Sequence, residues 1–213
     1  MDSQILVVAQ PGRLPRLECR GGLAARVTLP DTVHLVSAAA TPLGGDTVRI
    51  RVVVPAGARL RLCSVAATVV LPGAHSVASQ SALALEVAGF LDVDLEPTVV
   101  AADAVHESAV VAAIEDAGEL RLRERVQIGR SGEDGGRWSG SLRVDVKGQP
   151  LLRHRIELGA GSPADDVLGA PRACISELRY PETAFDHPGT VLELAGGGAL
   201  ATWQGERLLP PAK

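Results

Sequence analysis

The chain has 213 residues, with 21 Lys and Arg against 25 Asp and Glu, a net charge of −4 and no basic block; this argues against a nucleic-acid binder, which needs a basic stripe. Apolar residues make up 46% of the chain but aromatics only 2%, so the core must be filled by Val, Leu, Ile and Ala, and few rings are available for stacking on bases. No run of 18 apolar residues offers a membrane-spanning helix, and Cys19, Cys63 and Cys174 are too widely spaced for a disulfide framework or a zinc motif.

The first apolar patch, Ile5 to Ala9, lacks a basic leader and is too short for a signal peptide. The expected location is therefore cytoplasmic, with reduced, buried or idle thiols.

From Val48 to Leu158 the dominant pattern is alternation, the mark of half-buried strands. Val48, Ile50, Val52 and Val54 oppose Arg49 and Arg51; Leu83, Leu85 and Val87 follow around Ala84 and Glu86; Leu91, Val93 and Leu95 oppose Asp92 and Asp94. Ala109 to Ile114 reads equally as helix or strand. Leu120, Leu122, Val126 and Ile128 then oppose Arg121, Arg123, Arg125 and Gln127, and Leu142, Val144 and Val146 oppose Arg143, Asp145 and Lys147.

Turn signals separate these runs at Pro55-Ala56-Gly57, Ala88-Gly89, Ala117-Gly118 and Lys147-Gly148, where glycine supplies positive φ without steric cost. The spacings of 32, 29 and 30 residues make a weak internal repeat and predict stacked β units; a plain antiparallel meander is the other reading. Residues 159–213 are richer in proline and read as a C-terminal cap on the same single domain. Short strands are predicted at Val191–Leu194 and Ala199–Trp203, a loop over Ser162–Asp166 and a frayed tail over Pro210–Lys213. The expected fold is all-β, with few or no long helices.

No Gly-x-Ser-x-Gly, P-loop, His-Glu-x-x-His or Gly-x-Gly-x-x-Gly motif occurs. Two residues break the alternation. Glu124 occupies the apolar register between Leu122 and Val126, and His154 shares a register with Leu152, Ile156 and Leu158. A carboxylate turned inward is costly without a mate or water. Its ordinary role is an internal ion pair or hydrogen bond. Asp46, after Gly44-Gly45, is expected to brace that turn, and Glu96, before Pro97, to be a strand-end surface charge.

The run Ser37-Ala38-Ala39-Ala40-Thr41-Pro42-Leu43-Gly44-Gly45-Asp46 resembles the Gly-Gly-Asp signature of the UreD/UreH family of urease accessory proteins. In the family's order follow Ala56-Gly57-Ala58-Arg59-Leu60-Arg61-Leu62, Ala66-Ala67-Thr68, Leu95-Glu96-Pro97-Thr98, Glu124-Arg125-Val126 with Gly129-Arg130, and Gly148-Gln149-Pro150-Leu151-Leu152-Arg153. The resemblance covers about Ser37 to Leu158. Val69 and Val70 stand where the family often has lysine and an aromatic, and the ends are short for the family.

The resemblance implies a right-handed superhelical β body that is not an enzyme. It would join a UreF-type protein and a UreG-type GTPase to the urease apoprotein, and help conduct Ni²⁺ in transit without a tightly bound cofactor. Asp46, Glu96, Glu124 and His154 are the candidates for the metal path. Gly44, Gly45, Gly57, Gly89, Gly118, Gly129 and Arg130 are read as structural. An unrelated β-rich protein-binding module, or an unidentified hydrolase, is the alternative.

Overall fold

The computed structural model describes residues 1–133, 135–163, 165 and 170–209. Among these, every element in chain order is a strand. Two hairpins open the chain: β1 (Asp2–Gln10) with β2 (Arg13–Arg20), and β3 (Leu23–Leu29) with β4 (Thr32–Ser37). The chain then winds back and forth between two sheets. It runs through β5 (Thr47–Val54), β6 (Arg59–Ser64), β7 (Thr68–Val70), β8 (Ala78–Val87), β9 (Phe90–Asp94), β10 (Thr98–Val100), β11 (Val105–Ile114) and β12 (Glu119–Ile128). It ends on β13 (Arg137–Val146), β14 (Gln149–Gly159), β15 (Ala173–Tyr180), β16 (Thr190–Glu193) and β17 (Ala199–Gly205).

The first sheet has the order β14-β13-β11-β8-β5-β1-β2. The second runs β16-β17-β15-β12-β9-β6-β4-β3, with β10 joining β12 to β7. Neighbours β5, β8, β11 and β13 are parallel, as are β6, β9 and β12. This is the stacked arrangement that the glycine spacing predicts, and it rules out the meander. Strand β11 resolves the ambiguity of Ala109–Ile114: Ala109, Val111 and Ala113 point outward while Val110, Ala112 and Ile114 are buried, so both faces are apolar and the alternation is hidden.

Three of the four glycine turns carry the chain from one sheet to the other, each lying on the one before. Phe90 N–H donates to Ala58 O, and Glu119 N–H to Gly89 O. Gly57 has φ +76°, as expected. Gly89 and Gly118 do not need positive φ. A Cβ at 89 would overlap Ala58 O, and one at 118 would overlap Val87 O, so the stacking itself demands glycine there. The fourth turn differs: Lys147 and Gly148 both have positive φ, 52° and 72°. That closes a two-residue hairpin of β13 with an antiparallel β14 in the same sheet, and the stack ends.

Beyond residue 159, β15 pairs with β12 and β17 with β15, so this segment widens the second sheet. The predicted strands near 191–194 and 199–203 correspond to β16 and β17. Pro210–Lys213 and part of Ser162–Asp166 lie outside the described residues. Cys63 and Cys174 are buried and Cys19 exposed, all as free thiols. Among the described residues no helix is long and apolar enough to cross a membrane.

Candidate functional site: a polar layer between two cores

The inward side chains form two dry clusters. The larger is built on Ile50, Leu62, Leu85, Leu91, Val110 and Leu122; the smaller on Val100, Val126, Ile128, Trp138, Ile156 and Cys174. Strand register explains the gap between them. On the first sheet, Ser81, Ser108 and Gly140 stand side by side, one step from the Leu83–Val110–Leu142 row. On the second, Glu124 stands beside Ser176, between Leu122 and Val126. A small and polar layer thus replaces one apolar layer. Gly140 is fixed there because a Cβ would overlap the Trp138 ring.

A cavity of ≈300 Å³ lies at this layer, with walls from both sheets that include Leu83, Leu122, Ser81, Ser108, His106 and Glu124. It reaches the surface because two strands of the second sheet are interrupted. Strand β12 is continuous through Glu124, whereas its neighbour stops at Asp94 and resumes as β10 at Thr98, across Pro97. Arg125 bridges the break, donating to Leu95 O at 2.6 Å and to Asp94 Oδ1 at 2.8 Å. Exposed Val65, Ala66 and Glu96 line the cavity at this end.

Glu124 faces inward, and its accessible surface belongs to the cavity. Ser108 Oγ donates to Glu124 Oε1 at 3.0 Å, from the opposite sheet. Burial pushes the carboxyl up, and the Ser108 hydroxyl offsets part of that rise. Among the described residues no cation pairs with it, so its mate is a hydroxyl and not the ion pair that burial alone suggests. The Cys174 thiol is pushed up to about 12, by burial and by the Glu124 charge nearby.

His106 also lines the cavity, and the sequence reading did not single it out. It is 3% exposed. Ser79 Oγ lies 2.9 Å from Nδ1 and Ser81 Oγ 3.0 Å from Nε2, so both ring nitrogens of a neutral imidazole are satisfied. Burial lowers its pKa to about 4. The signal in the sequence is parity: Ser79 and Ser81 share it with Leu83, and His106 and Ser108 share it with Val110.

His154 faces inward in register with Leu142, and burial lowers its pKa. Its Nε2 is buried and, among the described residues, has no hydrogen-bond partner. With Glu124 and Ser176 it lines a separate hollow of ≈10 Å³, about the room of one water. The structure therefore brings Glu124 and His154 together, but puts His154 beside the larger cavity and not on its wall.

The other candidates stand apart. Glu96 is exposed at the mouth, its N–H donating to Ser64 Oγ at 2.9 Å. Asp46 is 6% exposed and braces the Gly-Gly-Asp turn. Its Oδ2 accepts from Leu43 N–H and Thr41 Oγ1, both at 2.9 Å, and its Oδ1 pairs with the amino group of Met1. Burial alone would raise this carboxyl, but these donors hold it below the usual range. Gly45 has φ +91°, whereas a Cβ at Gly44 would overlap the Ser76 carbonyl oxygen. Gly129 ends β12, and the exposed Arg130 holds the Glu133 carboxyl down at about 2, closing that loop.

The profile of the UreD urease accessory protein family matches residues 12–178. Over 181 residues the chain is 42% identical to the urease accessory protein UreD of Frankia alni, covering 82% of this chain and 57% of that protein. It is 43% identical to UreD of a Parafrankia strain, with 88% and 73% covered, and 36% identical to UreD 1 of Saccharopolyspora erythraea, with 86% and 75% covered. The chain thus spans little more than half the length of the Frankia alni relative. The match runs through the Gly-Gly-Asp turn, the stacked strands and Glu124, and the chain belongs to the UreD urease accessory protein family.

Proposed function

We propose that the chain serves urease maturation as a non-catalytic cytoplasmic scaffold. It joins a UreF-type protein and a UreG-type GTPase to the urease apoprotein and passes Ni²⁺ through the cavity at Glu124. The observation that carries this reading is the carboxyl of Glu124: inward, without a cation partner among the described residues, on a cavity that opens beside Glu96. Nickel accepts carboxylate and imidazole ligands, and an ion in transit is served by ligands spread along a path rather than gathered into a tight site. Glu96 at the mouth, then Glu124 and His106 inside, are spread in this way, and His154 waits behind Glu124. Asp46 has its carboxylate committed to the turn and serves folding.

The test is urease activation at limiting nickel, reconstituted with purified partners. Glu124→Gln should lower activation while the protein still assembles with its partners. Full activation by that variant would remove Glu124 from the path, and equal activation without this chain would end the maturation reading.

A further inference from the structure

The outer faces of the two sheets differ in kind. On the second sheet the outward side chains neutralise one another: Asp94 meets Arg61, Arg123 and Arg125, and Glu177 meets Arg123 and Arg179. On the first sheet the charges are sorted into rows. Two adjacent rows across the strands carry Arg20, Arg49 and Arg155, then Arg51, Arg143 and Arg153, with Glu18 as the acid among them. Between the arginines stand small and aliphatic residues, such as Ala82, Ala109 and Val111, the last 49% exposed. A hollow of ≈260 Å³ lies over this floor, bounded by Arg49 on one side and Arg155 on the other. Four strand spacings separate those two residues, about 19 Å.

Acids bracket the belt at both ends of the strands: Asp2, Glu107 and Glu157 in the row below, Glu86 and Asp145 in the row above. A long polyanion running on past the belt along the strands would meet like charge, so the belt suits a short acidic segment lying across the strands. Its arginines are available. Arg49, Arg51, Arg153 and Arg155 pair at the surface with Asp2, Glu86, Asp145 and Glu157, pairs that contribute little in water and can be exchanged; Arg153 also donates to Val144 O and Leu152 O. Arg143 is exposed and, among the described residues, has no carboxylate partner.

We propose that this belt docks an acidic segment of a partner protein, one with carboxylates about 19 Å apart and small or aliphatic side chains between them. The inference rests on the maturation reading for the identity of the partner, and on the charge rows for the place. Arg49→Glu/Arg143→Glu reverses the belt without touching the interior, and Arg26→Glu, on exposed β3, is the control. The probes are the purified UreF-type protein and the urease apoprotein of the same organism. The double variant should bind one of them at least tenfold more weakly at unchanged melting temperature, and the control should bind as wild type. Raising salt should weaken wild type more than the variant. Undiminished binding by the variant overturns the docking surface alone; a wild-type chain that binds neither probe overturns the maturation reading with it. If the reversal instead abolishes self-association or binding of a duplex RNA and leaves both probes bound, the occupant is not a protein partner and the proposal falls.

Discussion

Ser108 and Glu124 meet at 3.0 Å from opposite sheets, and that contact marks the level at which the protein's core is split in two. On one side of it Val110 and Leu122 pack in the larger cluster; on the other Val126 and Trp138 pack in the smaller. Each buried aliphatic side chain in those clusters stabilises the fold by about 1.5–3 kcal/mol. The layer between gives up that gain and holds a carboxyl group in reserve.

The reserve has a signature in pH. Burial raises the Glu124 carboxyl above its unfolded value, so the folded chain holds that proton more tightly. Its contribution is fully present below the unfolded pKa and is lost as pH rises through the folded one. Glu124→Gln keeps an acceptor for Ser108 and removes this loss. Its melting temperature should equal or exceed that of wild type at pH 8, and the difference should shrink as pH falls toward 4.5. A variant that melts well below wild type at pH 8 would show that the charge holds the fold together.

His106 titrates with the opposite consequence. With the folded pKa at about 4 and the ordinary value at 6.5, the unfolded chain binds the extra proton first as pH falls. Stability should drop between pH 6.5 and 4, by about 3 kcal/mol from this residue. Denaturant titrations across that range should be steeper for wild type than for His106→Gln, which keeps hydrogen bonding toward Ser79 and Ser81 and cannot charge. Parallel curves would place the pH dependence elsewhere.

Glu124 and His154 were legible because each interrupts a long run of one parity, Leu122 to Val126 and Leu152 to Ile156. His106 was not, because Ser79, Ser81, His106 and Ser108 sit where strands begin, ahead of the apolar residues that reveal the register. Strand β15 escaped for a different reason: it is covered on both faces, with Glu177 buried against Arg123 and Arg179, so no alternation shows. Strands β1 to β4 precede the regular stack, and in the sequence they show only one clear apolar patch, Ile5 to Ala9. Glycine spacing alone does not separate a turn that crosses between sheets from the hairpin at Lys147-Gly148.

The Gly-Gly-Asp turn should separate into three effects. Gly45→Ala forces an L residue to φ +91°, a cost of about 1 kcal/mol or more, and Gly45→Val should cost more. Gly44→Ala drives a Cβ into the Ser76 carbonyl, so the 73–76 segment must move; it should be the more damaging of the two alanines. Asp46→Ala leaves Leu43 N–H and Thr41 Oγ1 without their acceptor, at about 1–3 kcal/mol. Urea unfolding of the four variants ranks them, and a Gly44→Ala protein as stable as wild type would contradict the close approach.

The stacked turns give the cleanest contrast, because their glycines are required for different reasons. At Gly57 nothing lies within 4 Å of an added Cβ, so Gly57→Ala meets only the left-handed backbone, about 1 kcal/mol. At Gly89 and Gly118 the backbone is ordinary, but the methyl would strike the preceding turn at Ala58 O and Val87 O. Backbone oxygens in a hydrogen-bonded stack cannot swing aside as a side-chain tip does, so coils must separate, and overpacking of this kind costs about 1–3 kcal/mol. Gly57→Asn should recover part of the loss at 57, since Asn tolerates positive φ, whereas Gly89→Asn and Gly118→Asn should be worse than their alanine variants. Equilibrium unfolding of the six proteins decides it: rescue by Asn at 89 or 118 would mean that those turns need a conformation and not a gap, and the stacking explanation would fail.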